Sequence, residues 1–166
     1  GKGQNLLSKT ENAMIFKNNS QFTISIWFKT TDKKNRQFLI RKDGGDGNRR
    51  VISMAIFQNY SQLEFCGQGC STYIELNANQ TTAKYLTDGN YHNMIAIKNK
   101  DNAKLYIDGV LEYDFTNETL INGDFSNIHN ISIGNSPRNF YQNQGFNGTI
   151  DEISIYSKAI TYQEIQ

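Results

Sequence analysis

The sequence lacks the features that mark membrane-spanning and nucleic-acid-binding chains. No apolar run approaches the roughly 18 residues that a helix needs to cross a bilayer. Neither sign of charge dominates, because 17 lysines and arginines face 16 aspartates and glutamates, for a net charge of +1. Without a broad basic surface a protein has little electrostatic attraction for phosphates. We therefore expect no membrane span and no nucleic-acid partner.

Histidine and cysteine are scarce, with two of each. Two thiols would need two further ligands to complete a zinc site, and the spacing of Cys66 and Cys70 differs from the redox Cys-x-x-Cys pattern. The two cysteines flank a glycine-rich tip, where facing Cα atoms are roughly 4.5–5.5 Å apart and within disulfide range. We favour a disulfide between Cys66 and Cys70 over two free thiols. A disulfide would indicate an oxidising compartment, and hence an extracellular or cell-surface protein.

The chain shows neither an internal repeat nor a linker that would divide it. Its 166 residues suit one domain, which at this size buries roughly two-thirds of the surface of the unfolded chain. It opens with Gly-Lys-Gly-Gln, without an initiator methionine or an apolar signal segment. We expect residues 1–166 to form a single domain cut from a larger protein.

Short segments of alternating polarity run through most of the sequence. The clearest is residues 22–30, in which Phe22, Ile24, Ile26 and Phe28 alternate with polar residues, as in a half-buried strand. Further strands are expected at residues 13–17, 36–41, 51–57, 63–65, 72–76, 91–98, 103–113 with a turn at Asp108-Gly109, 129–133 and 149–156. Turn signals every 8–12 residues or so predict an antiparallel β-sandwich. A capping-box spacing from Thr161 to Glu164 predicts a short C-terminal helix.

The single tryptophan, Trp27, has the opposite parity to the apolar residues around it. We expect it to pack under a covering loop or second layer. The alternative is a platform on which a sugar ring stacks.

Three stretches carry a resemblance to a known family. They are Phe-Thr-Ile-Ser-x-Trp-Phe-Lys-Thr at residues 22–30, the passage Asp-Gly-x-Tyr-His followed by Leu-Tyr-x-Asp-Gly at residues 88–109, and Gly-x-Ile-Asp-Glu-Ile-x-Ile-Tyr-x-x-Ala-Ile-Thr-x-x-Glu-Ile at residues 148–165. In order and spacing they resemble the laminin G-like jelly-roll domains of the concanavalin A-like lectin/glucanase superfamily. Tyr91 stands where that family usually has tryptophan. The resemblance implies an all-β, two-sheet antiparallel jelly roll.

The same superfamily includes glycosidases, but the sequence does not favour catalysis. Its glucanases usually carry their carboxylates at alternate positions of one strand, and no such run occurs here. Asp151 and Glu152 are adjacent, so a regular strand would point them to opposite faces. The Gly-x-Ser-x-Gly nucleophile elbow is also absent from the sequence. We therefore expect a protein that is not an enzyme.

The candidate ligand-binding residues lie mainly in one long polar and aromatic loop at residues 135–145. Amide, carboxylate and guanidinium groups can bind sugar hydroxyls, and aromatic rings can stack on a pyranose. Loops between fixed strands often carry binding residues. The predicted carbohydrate contacts are Arg138, Asn139, Tyr141 and Asn143, with Asp46, Arg49 and Tyr73 from elsewhere in the chain.

A second loop, at residues 42–48, is rich in glycine and acidic residues. Its oxygen ligands could hold Ca²⁺, with Asp43 and Asp46 as the candidate metal ligands. The alternative is a plain solvated turn. In many lectin-like jelly rolls a Ca²⁺ ion lies near loops at one edge, so the resemblance favours the metal slightly.

Together these features predict a noncatalytic, lectin-like carbohydrate-binding module of a secreted or cell-surface protein. Its partners would be a glycan and the other domains of its parent chain. The alternative is an adhesion module that binds a cell-surface protein, or a structural spacer without a sugar ligand, because the fold serves all these roles.

Overall fold

The computed structural model describes residues 6–7, 20–33, 36–43, 51–57, 60–66, 73–77, 86–100, 102–116, 131–135 and 144–165. These residues form eleven strands and one short helix. The elements are β1 (Leu6–Leu7), β2 (Phe22–Lys29), β3 (Gln37–Asp43), β4 (Val51–Phe57), β5 (Tyr60–Cys66), β6 (Tyr73–Asn77), β7 (Tyr91–Lys98), β8 (Asn102–Ile107), β9 (Val110–Thr116), β10 (Ile131–Ile133), β11 (Thr149–Tyr156) and α1 (Tyr162–Ile165). The predicted all-β class with a C-terminal helix is confirmed.

The strands are arranged in two antiparallel sheets. One sheet has six strands in the order β1-β10-β3-β4-β5-β6, and the other has five in the order β11-β2-β7-β8-β9. The hairpin between β8 and β9 turns at Asp108 and Gly109, which both have positive φ angles of 49° and 77°. Two successive positive φ angles are typical of a type I′ turn, and the turn predicted at this dipeptide is confirmed.

The main core lies between the two sheets. The alternating residues of β2 that face inward, Phe22, Ile24, Ile26 and Phe28, are completely buried, as the sequence predicts. They belong to one cluster with side chains of the six-stranded sheet, among them Met54. Burial of each such side chain contributes roughly 1.5–3 kcal/mol, which makes this interface the main source of stability.

A second layer covers part of the outer face of the five-stranded sheet. Ile95, Ile97 and Tyr106 form a small cluster there with Ala159, Ile160 and Ile165 of the C-terminal segment. The buried hydroxyl of Thr23 fastens this segment, because it donates to the Lys158 carbonyl at 2.8 Å and accepts from the Ile160 N–H at 3.1 Å. The hydroxyl explains why a polar residue is fully buried on this face.

The C-terminal helix begins as its capping box predicts. The N–H of Thr161 donates to Glu164 Oε2 at 2.8 Å, which satisfies one of the free donors at the helix start. The ammonium group of Lys158 also donates to Glu164. These contacts, led by the one with Lys158, lower the pKa of Glu164 to about 2.

Strand β11 does not alternate regularly, contrary to the prediction. Its register with β2 shifts between Asp151 and Ser154, and Glu152 has a positive φ of 44°. A bulge of this kind inserts one residue, so Ile150 and Ile153 both pack on the core although their parities differ. Asp151 and Glu152 are both exposed. The predicted separation of these two carboxylates onto opposite faces is therefore wrong.

The pairing of Leu6–Leu7 with β10 was not predicted, and the strand predicted at residues 13–17 lies outside the described residues. Among the residues that the structure describes, no helix is long and apolar enough to cross a membrane.

Candidate functional site

The outer face of the six-stranded sheet carries polar side chains that are buried, whereas polar residues on an outer sheet face are usually solvated. In β4, Ile52 and Met54 point into the core, so Ser53 between them points outward. The register places Arg41 of β3 on one side of Ser53 and Glu64 of β5 on the other. We call Arg41, Ser53 and Glu64 the polar row, and the surface that they share the polar face.

An ion pair fixes the two ends of the polar row. Arg41 Nη1 lies 3.1 Å from Glu64 Oε2, and the two side chains are only 4% and 11% exposed. The guanidinium group of Arg41 also lies over the ring of Phe38, 4.6 Å from its centroid. Breaking a buried pair by removing one partner typically costs about 3–5 kcal/mol. The row is therefore a rigid arrangement of charged groups.

Two atoms of the polar row are left without a hydrogen-bond partner. Ser53 is 1% exposed, and its Oγ has no partner among the described residues. Glu64 accepts the hydrogen bond from Arg41 through Oε2, and within the same part of the chain its Oε1 accepts none. Buried polar atoms are nearly always hydrogen-bonded, so an orphan hydroxyl indicates a place for water or a ligand.

A second arginine lies at one end of the polar face. The guanidinium carbon of Arg36 is 5.9 Å from the centroid of the Phe38 ring and 5.5 Å from that of Phe57. Its Nε is buried without a hydrogen-bond partner in the described part of the protein, and so is Oε1 of Gln144. Gln144 is adjacent, because its carbonyl accepts the Phe38 N–H at 3.0 Å. Unsatisfied polar atoms therefore occur at both Arg36 and Ser53 on this face.

The long loop predicted to bind ligand is attached to the same sheet at both ends. At its start, the Gly134 N–H donates to the Leu39 carbonyl at 2.9 Å. At its end, Gln144 and Gly145 lie beside Phe38. The loop therefore begins and ends beside β3, the strand that carries Arg41. The predicted contacts Arg138, Asn139, Tyr141 and Asn143 themselves lie outside the described residues.

The other predicted site residues fall at one end of the sheet or outside the described chain. Asp43 is the last residue of β3 and Tyr73 the first of β6. The register joins them in the row Asp43, Val51, Cys66, Tyr73, two residues along each strand from the polar row. Asp46, Arg49 and Cys70 lie outside the described residues. Among the described ones, no three His, Cys, Asp or Glu side chains are grouped to hold a metal ion.

A laminin G-type family model, described as the concanavalin A-like lectin/glucanases superfamily, matches residues 2–166. The chain belongs to this superfamily. The resemblance inferred from the three sequence stretches is thereby confirmed. No curated protein sequence matches the chain significantly.

Solved structures of carbohydrate-binding and laminin domains share the fold. The CBM40 of the Ruminococcus gnavus IT-sialidase, bound to α2,6-sialyllactose, is 19% identical with a TM-score of 0.74, covering 89% of this chain and 82% of that one. Domain 4 of AbnA, a GH43 extracellular arabinanase from Geobacillus stearothermophilus in complex with arabinotriose, is 20% identical with a TM-score of 0.66, covering 90% and 66%. Domains LG4-5 of the mouse laminin α1 chain are 19% identical with a TM-score of 0.67, covering 88% and 41%. At these identities the likeness establishes the fold.

The two Asp-Gly passages of this laminin G-like domain meet at His92. Its Nδ1 lies 3.0 Å from Asp108 Oδ2 and its Nε2 3.1 Å from Asp88 Oδ1. Hydrogen bonds from Asn90 to Asp88, and more weakly the contact with His92, lower the pKa of Asp88 to about 2. Both ring nitrogens can donate at once only when the imidazole is protonated. The cluster joins two turns of the five-stranded sheet, so His92 has a structural role.

Trp27 differs from its predicted environment. Its side chain is 38% exposed on the outer face of the five-stranded sheet, between Asn93 of β7 and Asp151 of β11. The C-terminal segment covers Ile95 and Ile97 further along β7 and leaves Trp27 uncovered. The prediction that this ring packs beneath a second layer is wrong, because the layer spans only one end of the laminin G-like sheet.

Proposed function

We propose that this domain is a noncatalytic carbohydrate-binding module of a secreted or cell-surface protein and that its glycan binds at the polar face. The observation that carries the proposal is the polar row, where Ser53 Oγ and Glu64 Oε1 have no hydrogen-bond partner among the described residues, beside the fixed Arg41–Glu64 pair. Ligand sites typically combine such fixed polar groups with apolar walls. Phe38 supplies an apolar wall next to Arg41.

The loop that begins and ends beside β3 would form the rim of this site. Arg138, Asn139, Tyr141 and Asn143 would contact the glycan from the loop, with Tyr73, Asp46 and Arg49 at the other end of the sheet. The sugar-bound CBM40 and arabinanase domains of the same fold support a glycan as the ligand class. Ca²⁺ held by Asp43 and Asp46, and a disulfide between Cys66 and Cys70, are further parts of the proposal.

A glycan array tests the proposal, run with Ca²⁺ and again with a chelator on a folded sample. We expect reproducible binding that Ser53→Ala weakens, and that Arg138→Ala and Tyr141→Ala weaken if the loop forms the rim. Ser157→Ala is the matched control, since Ser157 is exposed on the C-terminal segment. Loss of binding in chelator would support the metal.

The same array can contradict the proposal. A blank result from a folded sample would favour a protein-binding adhesion module or a spacer. Incubation of each bound glycan with the domain should release no reducing sugar. Release of a cleavage product would contradict the noncatalytic role.

A further inference from the structure

From the contacts of the two arginines of the polar face we infer that the proposed site selects glycans carrying an anionic group, a carboxylate or a sulfate, and that Arg36 is the residue that selects them. This inference rests on the proposed function, because it concerns the ligand of the same site. It depends on how the two arginines of the face differ in their contacts.

Arg41 is already neutralised by the protein. Its guanidinium group pairs with Glu64 at 3.1 Å, and both side chains are nearly buried. A ligand anion would have to compete with the Glu64 carboxylate, which the protein already holds beside Arg41. The polar row therefore suits the recognition of sugar hydroxyl groups. Glu64 Oε1 can accept a hydrogen bond from a hydroxyl, and Ser53 Oγ can donate or accept one.

Arg36 differs because no acidic partner neutralises it. Among the described residues its guanidinium group has neither an ion pair nor a hydrogen bond, and it lies near the rings of Phe38 and Phe57. Within the described residues Arg41 thus has an acidic partner and Arg36 has none.

The position of Arg36 suits an anion that belongs to a larger ligand. The guanidinium group lies beside two aromatic rings, and its buried Nε has no hydrogen-bond partner among the described residues. A guanidinium fork can bind a carboxylate or a sulfate oxygen pair through two parallel hydrogen bonds. Arg36 and Arg41 both contact the ring of Phe38, so the anion-binding group lies next to the hydroxyl-binding row.

The inference predicts a preference that matched ligands can measure. Lactose and 3′-sulfolactose differ in one sulfate group, and galactotriose and tri-galacturonic acid differ in their C6 carboxylates; 3′-sialyllactose adds a whole sugar that carries a carboxylate. Titration calorimetry should show at least one acidic glycan binding about tenfold or more tightly than its neutral counterpart, the range expected for charge-assisted hydrogen bonds. The galacturonic acid and sulfolactose arms distinguish a carboxylate from a sulfate.

Variants of Arg36 locate the preference. Arg36→Gln should remove the advantage of the acidic glycan over its neutral counterpart, and Arg36→Lys should restore part of it. Lys29→Gln is the matched control, because Lys29 also lies over an aromatic ring, 5.4 Å from the centroid of Tyr91, but on the other sheet. Removing Arg36 breaks no ion pair among the described residues, so the variants should fold.

The outcomes separate this inference from the proposed function. Equal affinity for acidic and neutral glycans, or an acidic preference that survives Arg36→Gln, would overturn the role of Arg36 and leave glycan binding standing. Loss of the preference in Lys29→Gln would show that it arises elsewhere and would also overturn it. Absence of binding to every glycan of the array would overturn the proposed function, and the inference with it.

Discussion

At the residue scale, the molecule accommodates a lysine where its strand pattern calls for an apolar side chain. Lys98 lies in β7 opposite Phe22 and Ala103, and it is 1% exposed. Its ammonium group donates to the carbonyls of Ser20 at 2.8 Å and Asn99 at 3.4 Å. Burial nevertheless lowers the pKa of Lys98 to about 8 from its ordinary 10.5. The charged form is thus disfavoured in the folded protein.

This burial predicts the sign of a pH effect on stability. Between about pH 8 and 10.5 the unfolded chain binds more protons at Lys98 than the folded one, so stability should rise with pH across that window. The rise should be on the order of 3 kcal/mol, since one pKa unit corresponds to about 1.4 kcal/mol. Urea unfolding of the wild type and of Lys98→Met, at pH 7.5 and pH 10, should show the rise in the wild type alone. Lys100→Met, at an exposed position, is the control and should show the same rise as the wild type. An equal change in stability with pH in the wild type and in Lys98→Met would contradict the account.

Trp27 provides a second test at the same scale, because it is the only tryptophan. Its 38% exposure predicts that acrylamide quenches the fluorescence of the folded protein efficiently. Trp27→Phe should lower stability by less than about 1 kcal/mol, as expected for a half-exposed residue outside the core. A ring shielded from the quencher would instead support the covering layer predicted from the sequence. A change in its emission on glycan binding would support the sugar platform.

The residues of the polar face were not among the predicted site residues, for a physical reason. Alternation identifies Ser53 and Glu64 as lying off the core face, and such residues are usually solvated. Their burial and the contact of Glu64 with Arg41, 23 positions away, depend on the strand register, which local sequence does not contain. The sequence does offer one sign of this site: polar residues, an arginine, a serine and a glutamate, occupy outward positions of three successive strands. The prediction instead favoured the loop, where polar and aromatic residues are contiguous.

At the element scale, the C-terminal segment is a separate layer that one hydroxyl fastens to the sheet. Thr23 contacts two backbone groups of this segment, the Lys158 carbonyl and the Ile160 N–H. The cluster of Ile95, Ile97 and Tyr106 supplies the apolar surface beneath Ile160. The layer therefore depends on a polar contact and an apolar one together.

Thr23→Val tests the polar contact at nearly constant side-chain volume. It leaves two partly buried backbone groups without their partner, and each should cost about 1–3 kcal/mol where water cannot replace it. We expect a loss of at least about 1 kcal/mol in the free energy of unfolding, measured in urea. Thr149→Val is the matched control, because Thr149 is exposed at the start of β11. Equal stability of both variants would show that the segment does not depend on Thr23.

The elements were more predictable than the site because their signals are local. The strict alternation of β2 and the positive-φ turn at Asp108 and Gly109 are properties of neighbouring residues. The two residues of β1 are too few for any alternation, so the sequence offers no sign of that strand. The bulge at Glu152 was missed because an extra residue changes the parity of β11 without changing its composition.

At the scale of the whole molecule, the two sheets have different outer faces. The five-stranded sheet is covered at one end by the C-terminal segment and exposes Trp27 at a position away from it. The six-stranded sheet carries the polar row and Arg36, whose unsatisfied atoms are the basis of the proposed glycan site. The outer face of the six-stranded sheet therefore carries the proposed glycan site, and that of the five-stranded sheet carries a structural layer.

The most direct test is to map a glycan onto the folded domain by nuclear magnetic resonance. The domain labelled with ¹⁵N is titrated with a glycan that binds on the array, and the amide shifts are followed. The account predicts that the largest shifts occur in β3, β4 and β5, at Arg41, Ser53 and Glu64 and their strand neighbours, with little change at Trp27. Shifts concentrated around Trp27 on the opposite sheet, with the polar face unchanged, would contradict it.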